Sequence, residues 1–162
     1  MRTWSSPCAL SIPVLTLAVA VVASPAVAEE IAVKGDLARM QGRWVTRAGE
    51  RRELVVALEI TGCRASVEIT TPQGLKVQAR GEVRVNETVV PHTLDWVGFS
   101  SADVIDLPDI PAIYKLDERG MTVCNGGPNN PRPARFQAGA GVLADLHVFE
   151  RPKPTGTATS GH

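Results

Sequence analysis

Histidine and acidic residues are the first candidates for chemistry, because they supply many of the metal ligands and general bases of proteins. The sequence has three histidines, and they lie far apart: His92, His147 and His162. Zinc sites usually draw on closely spaced ligand pairs, so this distribution predicts no zinc centre. Three acids recur at intervals of three, namely Asp103, Asp106 and Asp109. A calcium loop of the EF type instead alternates its oxygen ligands around a central glycine. We therefore predict a solvated acidic loop and no metal site, with a loose calcium contact as the alternative.

A hydrolase needs a nucleophile with a base beside it. His92 and Asp95 are close enough in sequence to form part of a catalytic triad, but Ser100 and Ser101 are both near and neither is singled out. The chain has no Gly-x-Ser-x-Gly elbow, no His-Glu-x-x-His motif and no phosphate-binding loop. The sequence thus predicts no catalytic residue, no cofactor and a protein that is not an enzyme.

The first 28 residues have the pattern of a secretory leader. Arg2 precedes an apolar run at 9–23, and the small residues of 24–28 end in the Ala-x-Ala spacing of a cleavage site. The run contains Pro13 and is shorter than the roughly 20 apolar residues of a bilayer span. This disfavours the alternative, an uncleaved anchor. We expect cleavage after Ala28 and export to the periplasm or the extracellular space, with no membrane span after processing.

Two cysteines follow the leader, Cys63 and Cys124. In an exported protein they would lie in a compartment where a disulfide persists. A buried free cysteine, however, behaves as a small apolar residue. Two interpretations therefore stay open: a Cys63–Cys124 disulfide, or two unpaired thiols.

The whole chain is electrically balanced, with 17 basic and 17 acidic residues among 162. Removal of residues 1–28 leaves 134 residues, enough for one domain with a hydrophobic core. It removes one charged residue, Arg2. This balance gives no reason to expect nucleic acid or a membrane surface as a partner. The predicted organisation is a leader at 1–28, one domain at 29–151 and a disordered tail at 152–162, which has no large apolar side chain.

Alternation of apolar and polar residues predicts an all-β domain. The segments with strand character are 54–60, 64–70, 75–85, 89–96, 111–116, 121–124 and 142–150. A further short strand is predicted at 132–136, whereas 97–110 is predicted to be a loop. No segment has the pattern of an ordinary helix, so we expect about eight antiparallel strands in a barrel or a sandwich, with the barrel favoured because closure removes exposed sheet edges.

The strand at 75–85 has the clearest alternation, with one apolar and one polar side. Gly81 in its middle marks a bend or a bulge. The apolar side and two aromatic residues from later strands are predicted to line the barrel interior and to bind a small apolar molecule. This predicted lining consists of Val77, Ala79, Val83, Trp96 and Tyr114.

A short helical turn precedes the first strand. Asp36 can accept a hydrogen bond from a backbone N–H of this turn, and Leu37 and Met40 point the same way. We predict that the turn plugs one end of the sheet. Gly42 then permits a change of direction, and Trp44 supplies a large apolar surface. Gly42 and Trp44 are therefore assigned a structural role.

Three motifs stand out together: LARMQGRW at 37–44, TLDWVGFSSADVIDLPDIPAIYKL at 93–116, and MTVCNGGPNNPR at 121–132 followed by Phe136. With them, residues 36–151 resemble an uncharacterised lipocalin-like domain family abundant in planctomycete bacteria. Met40, Trp96 and Ala112 depart from that family's usual Leu, Pro and Gly. The resemblance implies a calycin-like antiparallel barrel and brings no agreed activity.

The resemblance also implies a contact, because in lipocalin-like barrels a basic side chain from the end of the chain often covers the first-strand tryptophan. Arg151 is the first candidate to cover Trp44, and Arg135 is the second. Two functions from different classes follow. The first is an exported module that binds a small apolar molecule inside the barrel, and the alternative is a structural or protein-interaction module of the cell envelope whose core is filled.

Overall fold

The computed structural model describes residues 33–102, 107–118, 120–141 and 143–153. The predicted leader and most of the predicted tail lie outside these ranges. The described residues belong to one compact unit. They form one short helix and eight strands: α1 (Gly35–Met40), β1 (Gly42–Ala48), β2 (Leu54–Thr61), β3 (Arg64–Thr70), β4 (Lys76–Asn86), β5 (His92–Ser101), β6 (Ile110–Leu116), β7 (Met121–Asn125) and β8 (Leu146–Phe149). Within the described residues, no helix is long and apolar enough to cross a bilayer.

The strands form one antiparallel sheet in chain order, from β1 to β8. The sheet curls until its two ends meet, where Val45 and Glu150 exchange backbone hydrogen bonds of 2.8 and 2.9 Å. The result is a nearly closed barrel. The predicted all-β fold is confirmed, with its antiparallel strands and its short N-terminal helical turn.

The bend predicted at Gly81 is a bulge, because the register between β4 and β5 shifts between Arg80 and Glu82. A side chain at Gly81 would overlap the ring of Phe99, and its Cβ would lie 2.7 Å from the carbonyl oxygen of Val97. Beyond the bulge, β5 continues to Ser101, so the loop predicted from residue 97 begins too early. Burial of Phe99 in the core explains why the strand continues through Gly98.

One hydrophobic cluster fills the barrel. It draws on α1 and on all eight strands, with Phe149 as the member from β8. Its fully buried members include Met40, Leu58, Leu94, Met121 and Val123. Alternate residues of β2 and of the first half of β5 face this cluster, as their burial patterns show. The periodicity of two that predicts these strands therefore also identifies their inward side.

Helix α1 closes one end of the barrel, as predicted. Met40 is fully buried and Leu37 packs against the core. Gln41 fastens the end of the helix to the β2–β3 turn, because its amide bonds both the carbonyl and the N–H of Gly62, at 3.0 and 2.7 Å. The predicted cap by Asp36 is wrong, because its carboxylate bonds the side chains of Tyr114, His92 and Arg39. Lys34 at the N-cap makes no side-chain cap, and the N–H of Asp36 donates to the Glu87 carboxylate at 2.7 Å.

The strand predicted at 132–136 is absent, and the last strand is shorter than predicted. Between β7 and β8 the chain forms irregular turns in its described part. Arg132 holds residues 132–136 in place without strand pairing. Its guanidinium extends from the loop to β5 and β6 and donates to the carbonyl oxygens of Leu94 and Ala112, at 3.1 and 2.6 Å. It also forms an ion pair with Asp95 at 2.7 Å. The loop is thus anchored to β5 and β6 by a side chain and not by strand pairing.

Candidate functional site

Four of the five predicted interior residues lie on the inward side of the sheet, where side chains of the protein surround them. Val83, Trp96 and Tyr114 are buried, and Ala79 packs against the same cluster. Val77 is 42% exposed, so its predicted place in a buried lining is wrong. The reason is its position in β4: β5 ends at Ser101 opposite Ala79, whereas Val77 pairs with Ile69 of β3.

Trp96 is part of the core and its polar atom is satisfied. Its indole N–H donates to the side-chain oxygen of Asn125 at 2.9 Å, and its ring meets Phe99 edge to face. Tyr114 is different, because its ring is buried while its hydroxyl reaches the end of the barrel that α1 closes. There the hydroxyl donates to Oδ2 of Asp36 at 3.0 Å.

Asp36 joins three elements through its carboxylate. Tyr114 of β6 donates to Oδ2, His92 of β5 contacts the same oxygen through Nδ1 at 3.2 Å, and Arg39 of α1 donates to Oδ1 at 2.9 Å. We call these four residues the Asp36 cluster. His92 and Tyr114 are direct partners across β5 and β6, which explains why both reach one carboxylate. Among the described residues, no group of three metal-ligating side chains could hold an ion.

The hydrogen bonds of the cluster determine its charge. Burial alone would raise the pKa of Asp36, but the bonds from Tyr114, Arg39 and His92 outweigh it and hold that pKa below its ordinary value. Burial, followed by the bond to Asp36, raises the pKa of Tyr114 far above the usual range of a phenol. Asp36 is therefore ionised and Tyr114 is a neutral donor at neutral pH.

The orientation of His92 follows from its partner. An ionised carboxylate only accepts hydrogen bonds, so Nδ1 of His92 carries the proton that points at Asp36. In the described part of the chain no group bonds Nε2, and the side chain is 37% exposed. No buried side-chain nitrogen or oxygen among these residues lacks a partner. Nε2 is therefore accessible to solvent.

A surface groove of about 330 Å³ runs beside the Asp36 cluster. We call it the mouth groove. Its apolar wall comes from the loop before β5, the end of β6 and the β7–β8 loop. The residues that line it are Asp36, Arg39, Val90, Pro91, His92, Tyr114, Lys115, Leu116 and Phe136.

The mouth groove combines polar and apolar contacts. Val90 is 94% exposed, and Lys115 extends over the Phe136 ring, with Nζ 5.7 Å from the ring centroid. A carboxylate and a histidine joined through Nδ1 also make up the base of a catalytic triad, but the residues that line the groove include no serine, threonine or cysteine. The arrangement is suited to binding a molecule with one polar end.

The sequence offers Asp95 as a possible partner of His92, but the structure pairs each of the two with another residue. Asp95 forms its ion pair with Arg132, while His92 meets Asp36, 56 positions earlier in the chain. The alternation of side-chain directions along a strand could have excluded Asp95. Residues three apart in a strand point to opposite sides, so Asp95 cannot share a face with His92.

The structural residues predicted at the start of the barrel do meet the end of the chain. The guanidinium carbon of Arg151 lies 3.6 Å from the centroid of the Trp44 ring, which confirms Arg151 as the covering residue in place of Arg135. Arg151 also donates to the backbone carbonyls of Gln41 and Arg39 at 2.7 and 2.9 Å. Gly42 has φ +90°, and an added Cβ would lie 3.2 Å from the Arg151 guanidinium. These contacts seal the barrel and contribute no binding surface to the mouth groove.

The two cysteines of the domain are unpaired. Cys63 is exposed in the turn between β2 and β3, whereas Cys124 is buried in β7. The Cys124 thiol points at the carbonyl oxygens of Arg135 and Gln137, at 3.5 and 3.2 Å. The structure therefore excludes the disulfide interpretation and supports two free thiols.

The chain was also compared with known proteins. No family model, no curated protein and no solved structure matches it.

Proposed function

We propose that the protein is an exported lipocalin-like binding module for a small, largely apolar molecule, and that this molecule binds in the mouth groove. The observation that carries the proposal is the apolar wall of the groove, where Val90 is 94% exposed beside Pro91, Leu116 and Phe136. Val90 is exposed and the other three side chains are partly buried, and an apolar patch at the surface is often a binding surface. The groove volume of about 330 Å³ is near the lower end of small-molecule sites, which span roughly 300 to 1,000 Å³.

The mouth groove is a better candidate than the barrel interior that the sequence indicates. Val83, Trp96 and Tyr114 are at most 9% exposed and pack within one cluster with other side chains of the protein. A ligand in their midst would have to displace close-packed core, which costs stability. In the mouth groove a ligand covers surface that is already exposed.

Export and the lipocalin-like character of the module are supported by the sequence. Residues 1–28 have the leader pattern, and the motifs between residues 37 and 136 resemble the lipocalin-like family. The eight-stranded meander is compatible with that resemblance. Binding without catalysis is supported by the groove lining, in which the single hydroxyl, that of Tyr114, already donates to Asp36.

The test uses the neutral fluorescent probe N-phenyl-1-naphthylamine. We expect its emission to rise on saturable binding to the protein. Val90→Ser should weaken the affinity about ten-fold, since it removes most of the aliphatic surface of Val90 that the bound probe would cover. Leu75→Ser is the matched control, because Leu75 is 64% exposed at the start of the β4 region and does not line the mouth groove. Absence of saturable binding, or equal losses in both variants, would refute the proposal.

The second candidate is a structural or interaction module with a filled core, and the burial of Val83 and Tyr114, each 1% exposed, favours it. Native mass spectrometry of the protein purified from its own envelope distinguishes the two. A co-purified small molecule that Val90→Ser removes supports the binding module. A bare chain that also fails to bind the probe supports the filled-core module.

A further inference from the structure

His92 presents an unused hydrogen-bond acceptor in the lining of the mouth groove. We infer that the groove selects small apolar molecules with a hydroxyl head group, an alcohol or a phenol, and that this hydroxyl donates to Nε2 of His92. This inference rests on the proposed function, because it names the chemical class of the molecule that the groove takes.

Asp36 determines which nitrogen of His92 is the acceptor. Its carboxylate lies 3.2 Å from Nδ1, and an ionised carboxylate only accepts hydrogen bonds, so the proton of the neutral imidazole is on Nδ1. The other nitrogen of a neutral imidazole is an acceptor. Nε2 therefore has a lone pair that no group in the described part of the chain uses.

The ring that bears this acceptor is held in one orientation. The bond at Nδ1 fixes it on one side, and the ring of Tyr114 packs against it edge to face with centroids 5.4 Å apart. A ligand that bonds Nε2 does not have to order the imidazole, which would otherwise reduce its affinity.

Two carboxylates lie at the end of the barrel where His92 lies. Asp36 is in contact with Nδ1, and Oε2 of Glu87 accepts the backbone N–H of Asp36 at 2.7 Å. A carboxylate at Nε2 would therefore face a lone pair with two acidic groups nearby, and like charges repel. A hydroxyl is neutral and brings the proton that the lone pair accepts.

The cations of the groove are not directed at this acceptor. Arg39 donates to Oδ1 of Asp36 at 2.9 Å, so it is paired with the acid. Lys115 extends over the ring of Phe136, with Nζ 5.7 Å from the ring centroid. The choice of head group at His92 therefore depends on the acceptor and not on a cation.

The acceptor lies beside the apolar wall of the groove. Val90 and Pro91 directly precede His92 in the chain, and all three line the groove. A molecule whose hydroxyl is at Nε2 can thus cover Val90 with its apolar body. A molecule without a donor would cover the same wall and leave Nε2 unsatisfied, which costs affinity. Sites that bond a ligand hydroxyl in this way reject analogues that lack it.

The experiment compares two isomers, 1-octanol and heptyl methyl ether, of which only the alcohol can donate a hydrogen bond. Octanoate and octylammonium are the charged ligands of the same chain length. Affinities are measured by NMR titration at about pH 8, where an ordinary histidine is neutral. We expect 1-octanol to bind about ten-fold more tightly than the ether, and more tightly than either charged ligand.

The preference for the alcohol should be lost in His92→Asn, whose amide keeps a donor toward Asp36 but has no atom at the position of Nε2. It should persist in the control Arg47→Gln, whose altered side chain is exposed on β1. Proton–nitrogen correlation spectra of the imidazole give a second readout on the unaltered protein. We expect the proton on Nδ1 of His92, and a shift of the Nε2 signal on addition of 1-octanol but not of the ether.

The outcomes distinguish the inference from the proposed function. Equal affinity for the alcohol and the ether, tighter binding of octanoate or octylammonium, or a proton on Nε2 of His92 overturns the inference and leaves the proposed function standing. Failure of both the alcohol and the ether to bind refutes the proposed function and the inference with it. If His92→Asn does not fold, the ligand comparison and the imidazole spectrum decide, because neither needs a variant.

Discussion

Arg151 lies over the ring of Trp44, with 3.6 Å between the guanidinium carbon and the ring centroid, and so joins the end of the described chain to its first strand. The contact occurs where the sheet closes through the Val45–Glu150 bridge. Arg151 also donates to the carbonyl oxygens of Gln41 and Arg39, between α1 and β1. A single side chain thus stabilises the closure of the barrel and the position of its end helix.

The first prediction concerns this seal. Arg151→Ala should lower the free energy of unfolding by about 2 to 3 kcal/mol, because it removes a cation–π contact and charged hydrogen bonds to carbonyls. Arg151→Lys keeps the charge but loses the forked donor geometry, so its loss should be smaller. Urea unfolding followed by tryptophan fluorescence measures both. Arg47→Ala, a change on the exposed side of β1, is the control and should stay within about 0.5 kcal/mol of the parent protein.

A double-mutant cycle separates the Trp44 contact from the backbone contacts of Arg151. Trp44→Ala alone should cost about 3 to 5 kcal/mol, since a large buried ring is lost from the core. If Arg151 acts partly through the ring, the double variant should be more stable than the sum of the single losses implies. Strict additivity would show that the 3.6 Å approach contributes nothing by itself.

Much of the barrel could be predicted because its signals are local. Strands β2, β3, β4 and β7 follow from the alternation of apolar and polar residues between turns. The bulge at Gly81 follows from a glycine inside an otherwise regular strand. Local pattern failed at β5, where Gly98 suggested a loop but Phe99 is buried in the core. It failed again at 132–136, where the bonds of Arg132 to two distant carbonyls replace strand pairing.

The candidate site was less predictable, because it depends on contacts between distant parts of the chain. Asp36 and His92 are 56 positions apart, and nothing near Asp36 indicates a partner in β5. The mouth groove likewise combines a helix, two strands and two loops. Periodicity does rule out Asp95 as the partner of His92, since the two face opposite sides of a strand. It does not identify the acid that takes its place.

The second prediction concerns the bulge at Gly81. Gly81→Ala should destabilise the protein by at least about 2 kcal/mol, because the added carbon overlaps the Phe99 ring and crowds the carbonyl of Val97. Gly74→Ala is the contrast: its φ is +83°, yet nothing lies within 4 Å of the added Cβ, so the cost is that of backbone strain alone, about 1 kcal/mol. Thermal unfolding of both variants measures the difference. Equal losses would mean that the bulge relaxes to admit a side chain.

The third prediction concerns the thiols. Iodoacetamide should alkylate Cys63 in the native protein but Cys124 only after denaturation, because Cys63 is exposed while Cys124 is fully buried. Peptide mapping by mass spectrometry assigns each alkylated cysteine. Cys63→Ser should abolish labelling of the native domain at 29–151 and leave its free energy of unfolding nearly unchanged. Recovery of a Cys63–Cys124 linked peptide from unreduced protein would contradict the structure.

The last prediction follows from the carboxylate of Asp36, whose folded pKa lies below the ordinary value of 3.8 because the bonds from Tyr114, Arg39 and His92 outweigh its burial. Between the two pKa values the unfolded chain binds more protons than the folded one, so stability rises with pH there. The contribution is fully present above pH 3.8 and is lost as the pH falls through the lower, folded value. Asp36→Asn should remove this part of the acid dependence, and its deficit at pH 7, about 1 to 3 kcal/mol, should shrink in acid.

Urea unfolding at a series of pH values from 7 down to 3 measures the effect. Glu68→Gln is the matched control: bonds from Gln78 and Lys76 also lower the pKa of Glu68, but that residue lies on the outer side of β3 and outside the cluster. Its variant should retain the acid dependence that belongs to Asp36. His147, whose pKa is lowered by burial, is common to all the proteins compared and cancels in the difference. Parallel stability curves for the parent and Asp36→Asn would show that the three bonds at Asp36 do not favour its ionised form.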